Sequence, residues 1–172
     1  GFEFRDAIHE LIYRDADQSV LASDVLSMRK RMQEEVGKES AAHYNIKQGA
    51  GGLVDIEFLI QYLQLLYGKQ QRWVRVPGTY NALRALRKEK LLQADDYRVL
   101  VRAYLFIRKL ESRMRIVSNQ ATSELSKDPG RLQPLARRMG YTDENNSAGR
   151  KLLSDYEELS ARVREVFEKI VR

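Results

Sequence analysis

The sequence has 172 residues and a mass of 20.0 kDa, the size of one domain, because two separate cores would each be marginal. Hydrophobic residues make up 43% and charged residues 31%, which excludes a disordered chain; the absence of cysteine excludes a disulfide framework, a thiolate metal site and a cysteine nucleophile. Thirty Lys and Arg against twenty-four Asp and Glu leave a net charge of +6, a surplus that raises nucleic acid or phosphate as partners.

His9 and His43 are the two histidines, so a histidine-rich metal site is also excluded. No apolar run approaches the roughly 18 residues of a membrane span. The first ten residues, GFEFRDAIHE, lack the basic-then-apolar order of a signal peptide and the initiating Met, as expected of a piece of a longer chain.

Turn signals fall at Gly37, at the QGAGG run 48–52, and at Gly68, Pro77-Gly78, Asp128-Pro129-Gly130, Gly140 and Gly149. Between them the apolar residues recur at helical spacing, with no convincing alternation of period two. A short helix is expected at about 4–14, and another over 20–36 with Val20, Leu21, Val25, Met28 and Met32 on one side. Residues 53–67 are apolar nearly all round, as in a helix at the centre of a bundle. A short helix follows at 79–89, then a long one over 95–118 with Leu100, Tyr104, Ile107, Leu110 or Glu111, Met114 and Val117 in a stripe. Asp95 and Asp96 put negative charge on its first turn, where the macrodipole favours it. Residues 130–139 read as a short helix. Residues 148–171 form a second long one, striped by Leu152, Tyr156, Leu159, Val163, Val166, Phe167 and Ile170. The expected fold is an all-α helical bundle of about six or seven helices, one domain over 1–172, with the two long helices as its spine.

The segment that departs from plain bundle runs from Asn45 to Phe58 and holds Gly49, Gly51 and Gly52 immediately before the apolar helix. Glycine costs backbone entropy, so a cluster implies positive φ or close approach of another group. A helix N-terminus offers unpaired N–H donors and Lys47 adds a full charge, so a phosphate or carboxylate fits there; a plain loop with a helix cap explains the run equally well. The spacing matches neither a Walker A loop nor G-x-G-x-x-G. Asp55 falls in the first turn of the helix, where the dipole suffices to explain it. Glu57 lies deeper, between Ile56 and Phe58, and needs either a structural ion pair or something bound. The two carboxylates point about 200° apart and cannot clamp one metal ion.

On the helix 95–118, Arg108 and Arg113 are candidate partners for acids such as Glu57 or Glu111. Lys69, Arg72, Trp73 and Arg75 form a basic-aromatic patch; Trp73 is expected to anchor its loop to the core, with base stacking as the lesser reading. The remaining basic residues are expected to spread over several helix faces. No G-x-S-x-G elbow and no strand-borne Asp-x-Asp pair occurs, so the chain is poorly equipped to transfer phosphoryl or nucleotidyl groups alone.

The run Lys47-x-Gly49-x-Gly51-Gly52-Leu53-x-Asp55-Ile56-Glu57-Phe58, followed by Gln61, resembles the K-x-G-x-G-G-[IL]-x-[DE]-I-E-F-x-x-Q signature of the bifunctional glutamine synthetase adenylyltransferase/adenylyl-removing enzymes. The likeness extends to Tyr13-Arg14 and Val25–Met32 before the motif, to Arg102–Arg113 after it, and to Leu135–Tyr141 near the end. Those enzymes consist of two similar halves, each a nucleotidyltransferase palm followed by a helical domain. The form G-G-L-x-D-I-E-F and the end at Arg172 resemble the C-terminal, adenylylating half.

The resemblance implies a parent enzyme that transfers AMP from ATP, with Mg2+, to a tyrosine of glutamine synthetase in the cytoplasm, under control of glutamine and the PII signal protein. It implies a palm of the same chain as the neighbour of this domain, no metal, ATP or catalytic residue held by this fragment alone, and no nucleic-acid or membrane partner. Lys47, Gly49, Gly51, Gly52, Asp55 and Glu57 would face the palm or the nucleotide, with Arg108, Glu111 and Arg113 as secondary candidates. Two other readings are a regulatory module that binds PII or glutamine synthetase without touching ATP, and the similar helical region of a PII uridylyltransferase. A free-standing basic helical protein that binds nucleic acid is the third.

Overall fold

A computed structural model describes residues 9–37, 39–118, 123–142 and 144–172. Helix α1 is described over 9–12, so the 4–8 part of the helix expected at the start lies outside the described residues. There follow α2 (Gln18–Glu35), the strand β1 (His43–Asn45), α3 (Leu53–Tyr67), a 3-10 turn (Arg72–Val74), α4 (Thr79–Lys88) and α5 (Ala94–Ser118). The strand β2 (Glu124–Ser126), α6 (Pro129–Met139), a second 3-10 turn (Glu144–Asn146) and α7 (Ala148–Ile170) complete the order. The architecture is the all-α bundle the periodicity predicts.

Local chemistry sets the boundaries. The Asp17 carboxylate accepts from the Ser19 and Val20 N–H groups at 2.8 and 3.1 Å and so starts α2. Asp128 accepts from Gly130 N–H at 2.9 Å, with Pro129 in the first turn of α6, and Gly140 at φ 97° ends that helix. Asp96 does more than favour the dipole: it is buried, and its two carboxylate oxygens accept from Lys169 Nζ at 3.0 and 2.9 Å, tying the start of α5 to the end of α7.

α5 and α7 are the spine because each runs through two hydrophobic clusters. The first gathers Leu59 and Leu63 of α3, Leu83 and Leu86 of α4, Leu100 and Ala103 of α5, and Val163 and Phe167 of α7. The second gathers Ile107, Leu110 and Met114 of α5, Leu132 and Ala136 of α6, Leu152 and Tyr156 of α7, with Ile46, Leu53 and Leu125. Tyr104 and Phe106 lie against both. α3 packs against α2, α4, α5 and α7, which is the central position its all-round apolarity implies. No helix among the described residues is long and apolar enough to cross a membrane.

Three expectations need correction. On α2 the inward edge is Ala22 and Arg29, with Leu21 and Val25 beside them, while Val20 and Met28 are about half exposed, at 58% and 48%. Trp73 does not anchor its loop; it is 77% exposed, and the neighbouring Val74 is the buried residue. β1 and β2 form an antiparallel ribbon with Tyr44 opposite Leu125, too short at three residues each to show alternation in the sequence. Val117, expected in the α5 stripe, has a side chain outside the described residues.

Because both spine helices pass through both clusters, Leu83→Ala in the first and Leu132→Ala in the second should each cost about 2–5 kcal/mol. Both should shift one common urea transition; two separate transitions, each sensitive to one variant, would show that the clusters unfold independently.

Candidate functional site

The glycine-rich loop is built on a buried ion pair. Arg29, 1% exposed, reaches from α2 beneath the loop, and its Nε donates to Oδ1 of Asp55, which is 0% exposed. Nη2 of the same guanidinium donates to the Gln48 and Gly49 carbonyls at 3.0 and 2.8 Å. The other carboxylate oxygen of Asp55 accepts from Gly51 N–H at 2.7 Å, and Arg164 of α7 stands 3.6 Å from it. Arg164 is itself held by Glu168 at 2.6 Å. Two charges this deep must be paired and hydrogen-bonded to be tolerated; both are paired here, and of the Arg29 guanidinium nitrogens Nη1 alone is buried without a hydrogen bond among the described residues.

The glycines follow from this packing. Gly51 sits at φ 70° with a Cβ position that would run into the Ser160 carbonyl of α7. A Cβ at Gly49 would meet the Glu39 carboxylate and the Asn45 carbonyl, so that residue too is confined. Asn45 organises the entry: its Oδ1 accepts from the Lys47 and Gln48 N–H groups at 3.2 and 2.9 Å, while Glu39 accepts from Asn45 N–H at 3.2 Å. Behind the loop, Tyr44 donates to Glu157 at 2.8 Å; burial, and then that bond, pushes its hydroxyl up to about 12. Burial likewise raises the Tyr156 hydroxyl, with Glu39 next in effect, so both phenols stay neutral beneath the loop.

The N–H groups that begin α3 have partners inside the chain. Leu53 N–H donates to Ile46 O at 3.3 Å, Val54 N–H to Lys47 O at 3.0 Å and Asp55 N–H to Gly52 O at 3.2 Å. The expectation that these donors lie open to a phosphate is therefore corrected: the loop folds back and its carbonyls take them. Asp55 is likewise more than a dipole partner. Lys47 is exposed, with no hydrogen bond or ion pair to its ammonium among the described residues.

Glu57 points elsewhere. It is half-buried and, among the described residues, has no hydrogen bond or ion pair. With Gln61 one turn later it lines a cleft of about 770 Å³ shared with His9, Tyr13, Arg75 and Thr79. Arg75 donates to the Gly68 carbonyl at 2.6 Å and its guanidinium lies 4.6 Å from the Tyr13 ring centroid. Gln64 holds the opposite lip by donating to the Val74 and Val76 carbonyls at 2.6 and 3.0 Å. The secondary candidates do not reach this cleft's acid: Arg108 pairs with Glu111 at 2.7 Å along α5, and Arg113 is exposed on the same helix.

Sequence reasoning missed Arg29 and Arg164. The signal for Arg29 was its spacing: Ala22, Val25 and Arg29 mark one edge of α2 over about two turns, which puts a charged residue at an apolar position. Among the described residues no group of three or more His, Asp or Glu gathers to hold a metal ion.

A cysteine-free helical bundle with a glycine loop locked from beneath and a polar cleft beside it defines a helical domain built around the start of one central helix. The chain belongs to the GlnD PII-uridylyltransferase family, whose model matches residues 26–171. Among curated proteins it is similar to bifunctional glutamine synthetase adenylyltransferase/adenylyl-removing enzymes. That of Corynebacterium glutamicum is 32% identical over 155 residues, 89% of this chain and 15% of the relative. That of Rhodopseudomonas palustris is 35% identical over 150 residues, covering 85% and 15%, and that of Leifsonia xyli subsp. xyli 29% over 170 residues, covering 99% and 16%. The chain thus spans about 15% of the length of these relatives.

Gly51→Ala, which places a methyl group against Ser160 in a left-handed backbone, should cost more than about 2 kcal/mol in urea unfolding. Gly140→Ala, at φ 97° with open space around it, should cost about 1 kcal/mol. Equal costs would mean that the contact with α7 does not confine the loop.

Proposed function

We propose that this chain is a single helical domain of a cytoplasmic glutamine synthetase adenylyltransferase, in its adenylylating half, and that it works against a nucleotidyltransferase palm of the same polypeptide. The parent reaction moves AMP from ATP to a tyrosine of glutamine synthetase: the tyrosine oxygen bonds to the α-phosphorus and pyrophosphate leaves. Mg2+ would neutralise the phosphate charge. In this reading the ion is held by the palm. Control by glutamine and PII follows from the same assignment. The support is the similarity to three adenylyltransferases and the density of the motif from Lys47 to Gln61.

The observation that carries the site reading is the division of that motif. Gly49, Gly51, Gly52 and Asp55 are buried and hold the loop, whereas Lys47, Glu57 and Gln61 carry polar groups without internal partners among the described residues. In this reading Lys47 meets the triphosphate or an acid of the palm as a point charge. Glu57 and Gln61 receive a polar group of the palm or the nucleotide in the cleft. Arg108, Glu111 and Arg113 have a structural part on α5.

A second reading is favoured by the family model itself: the helical region of a PII uridylyltransferase, with UTP and PII in place of ATP and glutamine synthetase.

In the full-length polypeptide that carries this chain, Lys47→Ala should lower kcat/KM for ATP at least about tenfold, and Glu57→Gln should lower it by a smaller factor. Unchanged rates and unchanged ATP KM in both variants would contradict the site. Transfer of UMP to PII, with no transfer of AMP to glutamine synthetase, would select the second reading.

A further inference from the structure

The surplus charge of +6 is not spread over the molecule. Residues 69–90 hold seven Lys and Arg and one acid, Glu89, a net of +6, so the rest of the chain is balanced. The basic residues themselves are dispersed along the chain, as expected, but outside this segment acids balance them. Lys69 pairs with Asp15, Arg75 is held by the Gly68 carbonyl, and Arg87 donates to the Leu92 carbonyl at 3.3 Å. The other four, Arg72, Arg84, Lys88 and Lys90, are exposed and have no acidic partner among the described residues.

Two exposed aromatic residues, Trp73 and Tyr80, lie among these charges in the same segment. α4 buries Ala82, Leu83 and Leu86, and turns Tyr80, Arg84 and Lys88, spaced four residues apart, to the outside. The 3-10 turn Arg72–Val74 packs beside α4, with Val74 as its buried anchor, and this fixes Trp73 in the open at 77% exposure. An indole held in the open beside unpaired cations has the composition of an interface anchor, since Trp is enriched at interfaces.

We propose that the face formed by Arg72, Trp73, Tyr80, Arg84 and Lys88 docks an acidic surface of the protein substrate, glutamine synthetase, and this rests on the function proposed above. Trp, Tyr and Arg are the side chains that carry most binding energy at protein interfaces. Unpaired cations steer an acidic partner and set the salt dependence of its association. Single-stranded nucleic acid, the competing occupant, is held in a basic groove that follows its backbone. Five clefts among the described residues, from 360 to 770 Å³, are lined by none of these five residues. Tyr80 follows Thr79 in the chain, and Thr79 lines the Glu57 cleft together with Arg75.

The test uses the full-length polypeptide with ATP and glutamine synthetase. Arg72→Glu/Arg84→Glu/Lys88→Glu, and separately Trp73→Ala, should raise KM for glutamine synthetase at least tenfold. The KM for ATP and kcat should stay within twofold, and the salt dependence of the glutamine synthetase KM should flatten in the triple variant. An unaltered KM for glutamine synthetase overturns the proposal. So does an unaltered KM together with lost affinity for single-stranded DNA or RNA, which would assign the face to nucleic acid. Wild-type enzyme that transfers no AMP to glutamine synthetase contradicts the proposed function first, and this docking face with it.

Discussion

Arg29 and Asp55 are both out of water, and the geometry of everything near the start of α3 depends on their being together. The pair joins four parts of the chain: α2 supplies the guanidinium, α3 the carboxylate, the loop between them the Gln48 and Gly49 carbonyls, and α7 the flanking Arg164. A buried ion pair is weak evidence of net stability, because desolvation offsets much of the attraction; removing one partner, however, leaves a stranded charge and costs about 3–5 kcal/mol. What the pair secures is a single loop conformation. With two carbonyls drawn to Arg29 and Gly51 N–H drawn to Asp55, the loop has little freedom left, and Gly51 can then lie against Ser160.

That constraint divides the motif between support and surface. Its glycines and Asp55 face the protein, and the N–H groups of α3 that a phosphate would need are bonded to the carbonyls of Ile46, Lys47 and Gly52. Lys47 is left on the outside of a loop that cannot move far. On the other side of α3, two residues beyond Asp55, Glu57 and then Gln61 line the cleft beside α1 and α4. The loop thus presents one cation, and the cleft one carboxylate without an internal partner among the described residues. Tyr80, Arg84 and Lys88 lie along the exposed side of α4, next in sequence to Thr79 of the cleft wall.

Much of this was legible from residue pattern. α3 runs over Leu53–Tyr67 because a uniformly apolar run bounded by glycines has one reading, and α5 and α7 matched their stripes because each crosses two clusters. The failures share a physical cause, which is that burial of a polar group is decided by its partner. Arg29 carries no local sign of its partner, because Asp55 lies 26 residues later in the chain. Trp73 looked like an anchor because indoles are usually covered, yet Val74 next to it occupies the core. The β1–β2 ribbon pairs segments about eighty residues apart with three residues on each side, a contact that no local pattern can announce.

The central claim is that Arg29 and Asp55 act as one unit to hold the glycine loop. A double-mutant cycle with Arg29→Met, Asp55→Leu and the pair, followed by urea unfolding, measures it directly. Each single change should cost about 3–5 kcal/mol, and the double variant clearly less than their sum, with a coupling of about 2 kcal/mol or more. Costs that add to within about 0.5 kcal/mol would contradict the account, because the two charges would then be stabilised independently and the loop would need another cause for its shape.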